Sequence, residues 1–263
     1  MAGAGDLEIS SHVVHHDGVD LHVDTYPVAD AHAPAVLVLP GGGFREHTEH
    51  DGRGYAHWFN SIGFGAVVLR YELRPDPFPL AVQQARAALD ALQQSRLLPN
   101  ADARRIGVIG SSAGGLLAGL LATGAVLSIE PQPDRVPRPR FHIQSYGLAD
   151  LTLLPSAAVE ALLGDTAHLV RELSPVSHVD AQTAPTFVWA TAQDGPGLPN
   201  ALAWAQALAD REVSVELHIY PEGPHGVGLA DGVAYGRHGE LAIPHTAQWA
   251  AACERWLSQC VAQ

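Results

Sequence analysis

Short apolar runs punctuate this chain at residues 35–39, 66–69, 106–109 and 186–192. Runs of this length without polar alternation predict strands buried on both faces, as in a parallel sheet. Residues 141–146 and 213–220 predict two more strands. Between the runs, apolar residues recur every three or four positions, as at Val82, Ala85, Leu89 and Leu92. That period predicts helices near 55–62, 80–92, 113–121, 157–163, 200–208 and 246–261. At the start, residues 12–16 and 19–26 alternate in polarity and meet at Asp17-Gly18, a dipeptide suited to a hairpin turn. Strands alternating with helices predict a mostly parallel, twisted α/β sheet of about eight strands, with right-handed crossovers and helices on both faces.

Residues 129–140 hold four prolines and three arginines and predict a loop. Running from a helix into a strand, it belongs at the end of the sheet away from the strand C-termini, where ligands gather. Residues 147–183 leave room for a small excursion over the sheet but not for a large lid. No internal repeat occurs, and residues 1–263 read as one α/β domain.

Composition narrows the picture. A hydrophobic content of 47% supports a full core, and a net charge of −13 with no basic run argues against nucleic acid or an anionic membrane as partner. No apolar stretch is long enough to span a bilayer. The stretch Met1–Asp6 has neither the basic start nor the apolar run of a secretory signal. Cys253 and Cys260 stand about 10 Å apart along a predicted helix, too far to bridge, on the apolar stripe with Trp249, Trp256 and Leu257. Two buried, inert thiols in a cytoplasmic protein are expected. His12, His15 and His16 crowd the first strand, but alternate faces separate His15 from the other two. They read as polar strand residues, and no metal or cofactor is expected.

The chemistry concentrates at Gly110-Ser111-Ser112-Ala113-Gly114, between a predicted strand and an Ala/Leu-rich helix. A Gly-x-Ser-x-Gly turn in that setting is a nucleophile elbow. Ser112 has glycine two positions before and two after it; Ser111 is flanked instead by Ile109 and Ala113. Upstream, the 35–39 strand runs into Pro40-Gly41-Gly42-Gly43-Phe44, where glycines let backbone N–H groups approach a ligand closely. Downstream, Asp194 follows a late strand and His225 follows the last one. The serine is a weak nucleophile until a base removes its proton. The histidine can serve near neutral pH, and the aspartate can fix its tautomer. Asp180 precedes its strand and Glu222 lies only three residues from His225, so both fit the acid's role less well.

These residues resemble the α/β-hydrolase superfamily, and within it the small esterases related to acetyl esterases, carbohydrate (xylan) acetylesterases and hormone-sensitive-lipase-like enzymes. The resemblance rests on Pro40–Phe44, Arg105–Gly115, Leu162-Leu163-Gly164, Ala184–Phe187 and Pro221–Gly226. It implies Ser112, Asp194 and His225 as catalytic residues, with an oxyanion hole made by the N–H groups of Gly42, Gly43 and Ala113. The chain departs from the pattern at Pro40 and Leu116, where relatives carry histidine, and in the Gln193–Pro199 stretch around the acid.

A serine carboxylesterase acting on short acyl esters, such as acetyl groups on sugars or other small alcohols, is the function these features predict. The alternatives are a non-catalytic receptor on the same fold, a lipase or a peptidase. Phe44, Glu46 and His50, following the glycines, are candidates to contact substrate. Leu116 and Leu117, bulky after Ala113-Gly114-Gly115, are expected to wall off a shallow acyl site.

Overall fold

A computed structural model describes residues 9–75, 77–235 and 241–262 of the chain. The N-terminal stretch 1–6 and Asp76 in the 74–77 loop lie outside the described residues. Eight strands form one sheet in the order β1-β2-β4-β3-β5-β6-β7-β8. They are β1 (Ser10–His16), β2 (Val19–Tyr26), β3 (Ala33–Leu39), β4 (Gly65–Leu69), β5 (Ala101–Ser111), β6 (His142–Ser145), β7 (Thr186–Thr191) and β8 (Val215–Tyr220). The β1–β2 hairpin joins the sheet antiparallel through β2 and β4. From β4 to β8 every pairing is parallel.

The continuous apolar strands are those covered on both faces. Ala35, Leu37 and Leu39 of β3 point into one core with Val67 and Leu69 of β4 and Val108 of β5. Helices α2 (Leu80–Gln93) and α3 (Ala113–Thr123) close that face. The alternate residues Val36 and Val38 join Val68, Ile109, Phe187 and Trp189 in a second core. Helices α1 (Tyr55–Ser61) and α6 (Gln248–Val261) cover it. There Trp189 stacks on Trp249 with ring centroids 4.6 Å apart. Complete burial of side chains this size contributes about 1.5–3 kcal/mol each. Helix α4 (Ser156–Leu163) belongs to the 147–183 excursion, and α5 (Gly197–Ala209) packs Trp204 and Leu208 beside Val188 and Ala190.

Two local expectations change. Helix α5 starts at Gly197 rather than near Asn200, because the Asp194 carboxylate accepts the Gly197 N–H at 2.6 Å and begins the turn early. Cys253 is buried, but Cys260, in the last turn of α6, is only partly so. Burial pushes the Cys260 thiol up to about 11 and lifts Cys253 further still, so both resist ionisation. The histidines of β1 pair with carboxylates: His15 with Asp20 and His16 with Asp90, each at 2.9 Å. No helix among the described residues is long and apolar enough to cross a membrane.

Candidate active site

The turn between β5 and α3 is fixed by backbone crowding. Ser112 sits at φ 50° and ψ −119°, a conformation that L residues rarely adopt and that lifts its side chain off the chain. A Cβ on Gly110 would overlap the Gly114 carbonyl, and one on Gly114 would overlap the Leu39 and Pro40 carbonyls. Only glycine fits either position. Backbone bonds pin the elbow to the neighbouring strand: Ser112 N–H donates to the Ser145 carbonyl at 3.3 Å, and Leu148 N–H donates to the Ser112 carbonyl at 3.0 Å.

Residues from three strand ends converge here. Ser112 Oγ lies 2.7 Å from His225 Nε2. On the other side of the ring, His225 Nδ1 lies 2.9 Å from both carboxylate oxygens of Asp194. Asp194 is 2% exposed, while the His225 side chain keeps 30% of its surface in solvent. The competing acids stand elsewhere. Asp180 binds the Arg138 guanidinium at 3.1 Å, and Glu222 is exposed beyond β8.

The glycine turn after β3 borders the same space. Gly42 has φ 125°, and a Cβ there would collide with the Glu46 carbonyl, so glycine is required. Among the described residues, the N–H groups of Gly42 and Gly43 meet no acceptor within the chain. Ala113 opens α3, where unsatisfied N–H groups and the helix dipole favour negative charge.

Gly42, Gly43, Ser112 and His225 line one open cavity of about 570 Å³. Its polar lining includes Arg45, Glu46, Thr48 and Arg74, the last bound to the Ala161 carbonyl; its apolar lining includes Leu148, Leu154, Ala158, Ala161 and Leu162 from the excursion. Glu46 is exposed at the mouth. His50 lines the cavity but is buried, with Nε2 3.3 Å from Asp51 Oδ1.

Two expectations about the lining are overturned. Phe44 does not face the cavity: it is completely buried, edge-on to Tyr71 and Phe78 at 5.6 and 5.1 Å. Its φ of 55° turns the chain so that the ring swings into the core. Leu116 and Leu117 are likewise core residues on α3 and wall nothing off. The apolar wall comes instead from residues 148–162.

Sequence reasoning passed over Asp51, Arg74 and Tyr146. Asp51 sits in His50-Asp51-Gly52, which reads as an ordinary turn, yet it is 2% exposed in a π-helical turn over His50–Gly54. Tyr146 follows β6 directly, as Asp194 closely follows β7, and its place at a strand C-terminus was the available signal. Burial first, and then the Asp51 charge, pushes the Tyr146, Tyr55 and Tyr71 phenols upward, so all three are neutral donors. Among the described residues no group of three or more His, Cys, Asp or Glu is arranged to hold a metal ion.

Comparison with known proteins places this geometry. An acetyl ester-xyloside bifunctional hydrolase from Caldicellulosiruptor lactoaceticus superposes with a TM-score of 0.78 and 32% identity, covering 92% of this chain and 88% of that one. Endo-1,4-beta-xylanase B of Butyrivibrio fibrisolvens is 27% identical over 77% of this chain and 34% of its own length. Acetylxylan esterase of Xylanibacter ruminicola is 24% identical over 76% of this chain and 42% of its own. The chain thus spans about a third to two fifths of these curated relatives. Residues 20–199 match the BD-FAE family, and with more than half its length in that match the chain belongs to this family, on an α/β-hydrolase fold.

Proposed function

We propose that this chain is a serine carboxylesterase that hydrolyses short acyl esters, acetyl groups on sugars or similar small alcohols foremost. The observation that carries the reading is the line from Asp194 through His225 to Ser112, with 2.9 Å and 2.7 Å contacts, at the floor of an open cavity. His225 Nε2 takes the Ser112 proton as Oγ attacks the ester carbonyl, and Asp194 stabilises the imidazolium. The N–H groups of Gly42, Gly43 and Ala113 hold the developing oxyanion. Collapse expels the alcohol, which takes its proton from His225. Water then attacks the acyl-serine by the same route and releases the acid.

The sugar ester rests on two supports. The names of the relatives speak of acetylxylan and acetyl ester-xyloside hydrolysis. The cavity lining also includes charged and hydroxyl groups at Arg45, Glu46 and Thr48, which suit an alcohol rich in hydroxyls. The partner is then a small-molecule ester and not a nucleic acid. Two free thiols fit a reducing, cytoplasmic setting.

A fluorophosphonate probe tests the reading. Labelling of the wild type that is lost in Ser112→Ala is the expected result. No labelling of the wild type would make the fold a receptor. A screen of acetylated sugars against aryl acetates then identifies the alcohol.

A further inference from the structure

Asp51 has more polar partners than any other carboxylate around the cavity, yet it takes no part in the proton's route. Its Oδ2 accepts the Gly41 N–H at 3.2 Å and the Thr48 hydroxyl at 2.7 Å. Its Oδ1 accepts the Tyr146 phenol. Gly41 directly precedes the two glycines whose N–H groups face the cavity, and it is tightly sandwiched. A Cβ there would lie 2.6 Å from Asp51 Oδ2 and 3.2 Å from Ser112 Cβ. Asp51 and Ser112 therefore both pack against Gly41, and Asp51 holds its N–H.

The other arm leads to the base. Tyr146 OH accepts the Gly228 N–H at 3.0 Å, three residues beyond His225. The Tyr146 ring stands edge-on to the His225 imidazole with centroids 5.4 Å apart. One buried carboxylate thus connects the loop presenting the anion-binding donors with the loop presenting the base.

We propose that Asp51 is a positioning residue that holds these two loops in register, through Gly41 on one side and Tyr146 on the other. The inference rests on the esterase reading above. The charge of Asp51 does not assist the oxyanion, since like charges repel. What it supplies is two acceptor oxygens, one for Gly41 and Thr48 and the other for Tyr146. An asparagine offers one acceptor oxygen and turns an NH₂ toward a donor on the other side. Asp51→Asn therefore breaks one arm without changing the side chain's size. Tyr146→Phe breaks the second arm and leaves the ring in place.

The test compares wild type, Ser112→Ala, Asp51→Asn, Tyr146→Phe and the double variant Asp51→Asn/Tyr146→Phe on p-nitrophenyl acetate, with a thermal melt of each. Misplacing reactive groups by about 1 Å costs up to roughly a hundredfold. We expect kcat to fall about 10- to 100-fold in each single variant with KM within about threefold. The double variant should be no more than about threefold below the worse single one, because the two residues act as one unit. Single variants within about twofold of wild type, losses that appear in KM alone, or losses that multiply in the double variant would overturn the proposal. If Asp51→Asn does not fold, Tyr146→Phe decides: a kcat loss at unchanged KM supports the proposal and an unchanged kcat overturns it. A wild type no faster than Ser112→Ala would remove the esterase reading, and this inference with it, whereas an active wild type with unaffected variants removes this inference alone.

Discussion

Asp194 holds His225 with both carboxylate oxygens at 2.9 Å from Nδ1, and the same Oδ1 takes the Gly197 N–H at 2.6 Å. The residue that holds the His225 ring also starts helix α5. Asp194→Asn keeps an oxygen for Gly197 but can present an NH₂ to the ring and favour the wrong tautomer. Its kcat should fall by about 10⁴, as for the equivalent change in other triads, with the melting temperature nearly unchanged. Asp194→Ala should lose the same activity and, in addition, about 1 kcal/mol of stability from the lost helix start. Steady-state kinetics and urea unfolding of both variants check this. A near-normal Asp194→Asn beside an inactive Glu222→Gln would reassign the acid.

Ser112→Ala should abolish ester hydrolysis and leave the fold intact, since the hydroxyl reaches His225 rather than the core. Ser111 is completely buried at the end of β5, so Ser111→Ala should retain most of the activity. Residual hydrolysis above a few per cent in purified Ser112→Ala would contradict the assignment.

Acyl length reports on the apolar wall. A methylene laid against Leu154 and Leu162 gains about 0.8 kcal/mol, close to fourfold in kcat/KM, until the chain meets the end of the wall. Beyond that point overpacking costs about 1–3 kcal/mol. The rate should be greatest for acetyl or propionyl esters and fall beyond butyryl. Leu154→Ala or Leu162→Ala should move the maximum to longer chains. A wild-type profile rising through octanoyl would indicate a lipase, and an unmoved maximum in both variants would place the acyl chain elsewhere.

His142 is buried between Gln144 and Thr186, and burial pulls its imidazole down to about 3, opposed weakly by its bond to Gln144. Burial likewise lowers His47 to about 4. Both are held neutral in the fold and take up protons more readily when unfolded. Their contribution to stability is therefore full above about pH 6.5. It is lost as pH falls, over the window down to about 4 for His47 and about 3 for His142. Urea midpoints should drop with acidification across that range, and His142→Gln should flatten the part below pH 4 most. An unchanged slope in His142→Gln would mean that the imidazole is not buried neutral.

How much was readable beforehand follows the range of the forces involved. The buried strands, the hairpin at Asp17-Gly18 and the Gly110–Ser112–Gly114 spacing are local patterns, each dictated by sterics within a few residues. The approach of Ser112, Asp194 and His225 followed from one topological rule, that loops at parallel strand C-termini share one end of the sheet. Side-chain facing was not readable. Phe44 and Leu116 occupy plausible lining positions, and only their backbone angle or helix face turns them into the core. Asp51 carries no local signal, because its partner Tyr146 lies 95 residues away in the chain.

The contact of Gly114 against the Leu39 and Pro40 carbonyls leaves no side chain between the nucleophile's turn and the glycine turn. At that junction backbone meets backbone, so peptide geometry sets how closely the Ser112 turn approaches Leu39 and Pro40. A side chain at Gly110 or Gly114 has no room, so change at those two glycines is all-or-none. The cavity-lining residues within 45–48 and 148–162 are free of that constraint and can carry variation in selectivity. A library aimed at new esters would keep its active fraction high by confining diversity to those residues.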